Sequence, residues 1–231
     1  MKITWRGHSF FELDCADGQK IVIDPYFTQL TELKPDDLKP DLVLVTHGHA
    51  DHLGSVIELN SPTIAIFELH NYLITRGLKE TIGLNIGGTY KMREMSVTML
   101  PAIHSGGITV DEGKSRGEST GVGYGGTCVG FIVDDSRHRV YHAGDTCLFG
   151  DMKTVIGEIF QPDTALLPIG GYYTMDPRQA AIAVEWLGVQ NAIPMHYNTF
   201  DVIQQDPNEF VRLVGGIAKV HILHVDESIS L

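Results

Sequence analysis

The chain has 231 residues, 43% of them apolar, enough to bury a substantial core, and it reads as one domain over residues 1–231. Its formal net charge of −12, with no Lys/Arg cluster, argues against a nucleic-acid surface, because phosphate binding rests on concentrated positive charge. No apolar run is long enough to span a bilayer, the opening MKITWRGHSFFEL lacks a secretory signal, and Cys15, Cys128 and Cys147 lack metal-ligand or disulfide spacing, so a soluble, cytoplasmic protein with reduced thiols is expected.

Residues 2–5, 9–14 and 20–23 read as short strands, with Asp17-Gly18 turning between the second and third. The third runs into IVIDPYF, where Asp24 either caps the turn or supports a site from behind. A polar connection over residues 33–41 leads to DLVLVTH, an apolar run that suits a buried parallel strand. That strand delivers THGHADHLG, residues 46–54, which packs His47, His49, Asp51 and His52 into six positions. Imidazole nitrogens and carboxylate oxygens are ligands for zinc, manganese and iron, and four this close cannot all face one ion. Two ions are implied: in an extended turn His47 and His49 project to the same side, leaving Asp51 and His52 for a second.

A short helix is expected over residues 53–60, then a strand at TIAIF and a helix over 68–78 stopped near Gly77. The strand at 95–100 is followed by Pro101-Ala102-Ile103-His104, making His104 the next ligand candidate. Residues 105–126 are Gly-rich and charged, the composition of a surface loop that either covers a substrate as a lid or extends as a solvated hairpin. Strands at 128–133 and 140–142 lead into HAGDTCLF, where Asp145 again follows a strand. Beyond it come a helix over 152–160, a strand and turn at DTALLPIG, and a helix over 177–187 with Asp176 as N-cap and Pro177 at its first position. The strand NAIP ends at His196, Asp206 caps a helix over 207–214, and Gly215-Gly216 precedes a final strand, KVHILHV. Strands in both halves, with helices following most later ones, describe two packed sheets with helices outside.

His47 to His52, His104, Asp145 and His196 all follow strands, where α/β proteins place their sites. In spacing and order these residues resemble the metallo-β-lactamase superfamily, whose signature is HxHxDH followed by a separate His, an Asp and a final His. GHSFFEL, IDP, YHAGDT, ALLPIGGYYTM and PMHYNTF are similar to stretches of its metal-dependent hydrolases related to the ascorbate-6-phosphate lactonase branch. The resemblance covers nearly the whole chain and implies an α/β fold, a four-layer αβ/βα sandwich with the site at one edge of the two sheets. It further implies that His47, His49 and His104 hold one metal, that Asp51, His52 and His196 hold the other, and that Asp145 bridges them.

Two cations sharing one carboxylate about 3.5 to 4 Å apart can make a nucleophile of a bridging water, without any Ser or Cys. Asp51 is placed to orient that water or accept its proton, and His8 joins it as a catalytic candidate that contacts substrate or stabilises developing negative charge, with a packed strand-end histidine as the alternative. The expected activity is cleavage of an ester, lactone or phosphodiester bond in a small molecule, which can be anionic because the metals supply local positive charge. Zinc leads from the nitrogen-rich ligands, with manganese and iron as alternatives, and assembly into a homo-oligomer is expected by analogy.

An iron-bound redox or oxygen-handling protein of the same fold, an RNA-processing nuclease and a non-catalytic metal-stabilised protein are the competing readings. The last is disfavoured because structural zinc sites are closed and rich in cysteine. The segment Gly170 to Met175 lacks the acidic residue the branch carries after PIG, which bears on substrate and not on metals. His142 reads as structural or as a hydrogen-bond partner behind the site, Tyr197 as a potential donor to substrate, and Cys147 as a buried small side chain. His221 and His224 read as packing residues of the last strand, His70 and His138 as surface residues.

Overall fold

The computed structural model describes residues 1–28, 30–109 and 122–231. The first half supplies β1 (Lys2–Gly7), β2 (Phe10–Asp14), β3 (Lys20–Ile23), β4 (Leu42–Leu44), β5 (Thr63–Ile66) and β6 (Thr81–Leu84). After them come β7 (Thr89–Met92), β8 (Met95–Pro101), β9 (Gly107–Thr109), β10 (Val122–Tyr124), β11 (Val129–Asp134), β12 (Arg139–His142), β13 (Thr164–Pro168), β14 (Asn191–Met195), β15 (Lys219–Val220) and β16 (Ser228–Ser230). They form two seven-stranded sheets, ordered β16-β1-β2-β3-β4-β5-β6 and β15-β14-β13-β12-β11-β8-β7, and a separate β9–β10 hairpin.

Both sheets follow one plan. Antiparallel strands occupy one side, and a parallel run, β3 to β6 in the first and β12 to β15 in the second, occupies the other. Parallel strands need crossovers, and β5 and β13 carry the unbroken burial expected when both faces are covered. Helix α3 (Phe67–Thr75) packs on β5 and β6; α4 (Pro177–Leu187) packs on β13, on α5 (Pro207–Val214) and on a π-wound helix at Met152–Phe160. This is the metallo-β-lactamase fold, two mixed sheets flanked by helices.

The core runs between the sheets through Phe10, Phe11, Leu13, Phe131 and Tyr141, all fully buried. Polar contacts also join them: His142 donates from Nε2 to the Ser9 carbonyl at 3.0 Å, accepts from Gly144 N at Nδ1, and lays its ring against Phe11. The ring satisfies both nitrogens and is structural in this fold.

The helix starts follow the sequence. Asp176 accepts from Gln179 N at 2.7 Å and Asp206 from Asn208 N at 2.9 Å, each beside a Pro whose missing N–H costs nothing there. Elsewhere the structure differs. The helix expected over 53–60 is two short turns, α1 (Ala50–Leu53) and α2 (Val56–Leu59), because Gly54 at φ 45° and ψ −125° breaks the winding between them. KVHILHV is a strand only at Lys219–Val220. A turn closed by Glu227 N on the His224 carbonyl then redirects the chain to the first sheet, where β16 pairs with β1. His221 therefore bonds Asn191 Oδ1 from outside a strand, and His224 is exposed. β6 and β7 are short, half-exposed edge strands with little apolar signal. The lid expected within 105–126 lies mainly at 110–121, outside the described residues; the flanks pair as β9 and β10.

Gly54 also fixes the chain against the 24–26 turn, since an added Cβ there would overlap the Pro25 carbonyl. Gly54→Ala is expected to cost about 2–4 kcal/mol of unfolding free energy in urea, combining strain with overlap. Gly18→Ala, at φ 84° with open space around it, should cost only about 1 kcal/mol.

Candidate metal centre

Six strand ends converge on one edge of the sandwich. His8 follows β1, Asp24 follows β3, the 46–52 turn follows β4, His104 lies beyond β8, Asp145 beyond β12 and His196 directly after β14. His8, Asp24 and His196 sit at φ 52°, 48° and 54°, left-handed conformations that are uncommon without glycine and that cluster at functional sites.

The turn and α1 split the HxHxDH side chains into two sets. His47 Nε2 lies 2.9 Å from His49 Nδ1, and with His104 these rings offer ligand atoms within 4.8 Å of one another. Asp51, His52 and His196 form a second such group, which also takes in His8. Asp145 stands between the two: its Oδ2 is 3.0 Å from His196 Nε2 and 3.6 Å from His104 Nε2, and its Oδ1 is 3.4 Å from His52 Nε2. All seven residues singled out from the sequence as metal ligands are thus brought together.

Asp24, buried and remote from the cleft, organises the rings from behind. Thr46 N donates to its Oδ1 at 2.8 Å, while Thr46 Oγ1 and His52 Nδ1 donate to its Oδ2, each at 2.7 Å. With its proton committed to Asp24, Thr46 Oγ1 accepts from His47 Nδ1 at 3.0 Å. Both rings are therefore protonated at Nδ1 and present Nε2 toward Asp145 and the neighbouring histidines, an arrangement typical of ligating imidazoles.

Two groups test whether the residues fit a metal. His52 Nε2 and Asp145 Oδ1 are buried, face each other and have no hydrogen-bond partner. Unpartnered buried polar atoms are rare and costly, and a cation bound by them removes the penalty. The charge fits as well: Asp24, Asp51 and Asp145 are the acidic members of the cluster, and two divalent cations with one hydroxide would neutralise them.

Burial holds His47 well below its ordinary pKa and lowers His49 and His104 too, so these rings are neutral and ready to ligate. Burial also opposes a charge on His52, but Asp145 and Asp24 outweigh it and raise that ring. Burial works against ionising Asp51 and Asp145, yet their histidine neighbours prevail and hold both carboxyls below the usual range.

His8 is tied at both nitrogens, Nε2 to Asp51 Oδ2 at 3.1 Å and Nδ1 to Thr199 Oγ1 at 3.0 Å, and its side chain is fully buried. Desolvation lowers it to about 4, so the ring is neutral and aims Asp51 at the cleft. The sequence identified neither Thr199 nor Thr46 as a partner, although both stand inside stretches that it marked, PMHYNTF and THGHADH.

Other expectations part from the structure. Tyr197 stacks on Trp5 at 5.7 Å, buried away from the cleft, with its phenol pushed up to about 12 by desolvation. Cys147 is exposed, not buried, because β12 ends at His142 and the chain has already left the sheet there. His138 pairs with Asp163 at the surface as expected, whereas His70, expected there too, is half-buried against Phe67.

The cleft over the cluster holds about 500 Å³, with His49, Asp51, His104, Ser105, Asp145 and His196 at its floor and Tyr26, Tyr173, Phe200 and Val202 on its walls. A model of the beta-lactamase superfamily domain matches residues 19–197. The chain belongs to that superfamily. It is 45% identical to a UPF0173 metal-dependent hydrolase of Methanopyrus kandleri over 99% of both chains. It is 43% identical to another from Archaeoglobus fulgidus, over 99% of this chain and 98% of that one. Among solved structures it is similar to Igni18, a metallo hydrolase of Ignicoccus hospitalis, at 37% identity and a TM-score of 0.84, over 99% of this chain and 97% of the other. The beta-lactamase superfamily match spans Asp24, the HxHxDH turn, His104, Asp145 and His196; His8 lies before it.

Replacing Asp24 by Asn would keep the shape but weaken the anchor for His52, and a 10–100-fold loss of metal affinity with the fold retained is expected. Because burial lowers His8 to about 4 and depresses His47, His49 and His104, the unfolded chain binds more protons than the fold between about pH 6.5 and 4. His142 and His221 are lowered by burial as well, and His52 alone works in the opposite sense. Metal-free protein should therefore show a urea midpoint that falls with pH across that window; a level midpoint would contradict neutral, buried imidazoles.

Proposed function

We propose that this protein, an enzyme of the metal-dependent hydrolase class, holds two divalent cations and cleaves an ester, lactone or phosphodiester bond in a small molecule. One observation carries the reading: two sets of three ligand-bearing side chains flank a shared buried carboxylate, Asp145, at the floor of an open cleft. Structural metal sites are closed, whereas this one leaves room for a substrate of moderate size.

His47, His49 and His104 would hold one ion, Asp51, His52 and His196 the other, with Asp145 between them. Zinc suits the imidazole-rich donors best, and manganese next. Bound there, the ions lower the pKa of a shared water from about 15.7 toward ~7 and polarise the electrophilic oxygen of the substrate. Asp51, 27% exposed at the side chain and facing the cleft, orients the attacking water and accepts its proton. His8 and Thr199 hold the Asp51 carboxylate in that direction, which makes His8 a positioning residue. His52 and His47 stay in their ligating tautomers through Asp24 and Thr46.

Metal analysis of reconstituted protein, run beside a chromogenic panel of esters, lactones, phosphodiesters and β-lactams, tests the assignment. About two metals per chain are expected for wild type and about one for His49→Ala, with at least ~10²-fold lower kcat/KM in Asp51→Asn when wild type and variant are compared at matched metal occupancy. Hydrolysis at full rate after metal removal, or no metal uptake on reconstitution, would overturn it.

A further inference from the structure

The walls of the cleft carry a feature that the metal chemistry leaves unexplained. Phe200 and Val202 are 40% and 51% exposed, and Tyr173 is 53% exposed, all facing the same cavity as the His/Asp cluster. Side chains of this kind at a loop tip are usually free to fold back on the surface, but these are built into place. The turn carrying Phe200 and Val202 is closed by Asn198 N on the Ile203 carbonyl and by Ile203 N on the Phe200 carbonyl, with Ile203 fully buried as its anchor. Asn198, at φ 58°, accepts from Gln205 N at 2.8 Å, and Gln205 Nε2 reaches the Gly170 carbonyl.

The Tyr173 segment is braced from the other side, by Gly171 N on the Met175 carbonyl and Met175 N on the Thr146 carbonyl, directly after Asp145. Tyr26 is held by its own N–H on the Asp24 carbonyl, and its ring lies 5.7 Å from His8, which Phe200 meets from another direction at 5.4 Å. The aromatic wall thus stands beside Asp51 and His196, while Ser105 and His49 give the cleft a polar end. Among the described residues lining the cleft none is Lys or Arg, and the segment from Gly170 to Met175 has two tyrosines where the sequence lacked an expected acid.

We infer that Tyr26, Tyr173, Phe200 and Val202 form an apolar subsite, and that the substrate carries an aliphatic or aryl group next to the bond at the His/Asp cluster. The inference rests on the hydrolase reading for the bond, and on the wall alone for the group. Apolar contact of this kind raises affinity about fourfold for each methylene removed from water, the equivalent of ~0.8 kcal/mol.

Two measurements separate the subsite from the chemistry. The first is binding of ethanol, butanol, hexanol and benzyl alcohol, which have no bond to hydrolyse, to metal-loaded wild type and to a Phe200→Ala/Val202→Ala double variant by ligand-observed NMR, with a thermal melt confirming that the variant is folded. Affinity should rise about 10-fold or more from ethanol to butanol and again to hexanol in wild type, and the slope should fall to about half or less in the variant. The second is kcat/KM for 4-nitrophenyl acetate, butyrate and hexanoate, where the same slope is expected in wild type. Equal alkanol affinities, or a slope untouched by the double substitution, would overturn the subsite. Ester turnover without chain-length dependence would overturn it too while leaving the hydrolase reading standing. A clear alkanol slope lost in the variant, with no bond cleaved in any class, would uphold the subsite and remove the hydrolase reading.

Discussion

Asp145 is 2% exposed and stands among imidazoles that come from three other loops of the chain. A carboxylate taken out of water at such a position is strongly destabilising unless compensated, and here the compensation can only come from partners delivered by distant strands. His52 arrives from the first sheet, while His104 and His196 arrive from the second. The site therefore exists only if both sheets present their strand ends at the same edge. Contacts such as His142 on the Ser9 carbonyl, and Val129 N on the Thr46 carbonyl, hold the two edges in register.

The same constraint explains the uneven texture of the molecule. The apolar strands and the interlayer core are regular, and the strain is confined to where the strands end, at His8, Asp24 and His196, each turned into a left-handed conformation. Asp24 links the strain to the chemistry. One buried carboxylate closes the end of β3, ties the backbone of Thr46 and fixes the tautomer of His52. A side chain that touches no substrate thereby decides where the ligand atoms of the cluster point.

Much of this was legible in the sequence for a physical reason. A HxHxDH turn after a buried strand admits few arrangements, and histidines or aspartates placed directly after later strands could be added to it because a sheet brings such ends together. His104, Asp145 and His196 were found that way. What escaped was set by contacts distant in sequence. The role of His8 depends on Asp51 and Thr199, 43 and 191 positions away, and no local pattern reports that. The break at Gly54 depends on the Pro25 carbonyl, and the return of the last segment to β1 depends on a turn at 224–227, inside what reads as one apolar strand. Cys147 looked buried by residue type but lies where the chain has already left the sheet. The aromatic walls were visible as residues in GGYYTM and YNTF, yet only the braced turns show that they face the cluster.

Anomalous scattering from crystals of zinc-loaded protein shows whether one buried carboxylate is shared by two cations. Two peaks are expected about 3.5 to 4 Å apart on either side of Asp145, one beside His47, His49 and His104 and one beside Asp51, His52 and His196. A single peak, or two that leave Asp145 uncoordinated, would contradict a shared carboxylate.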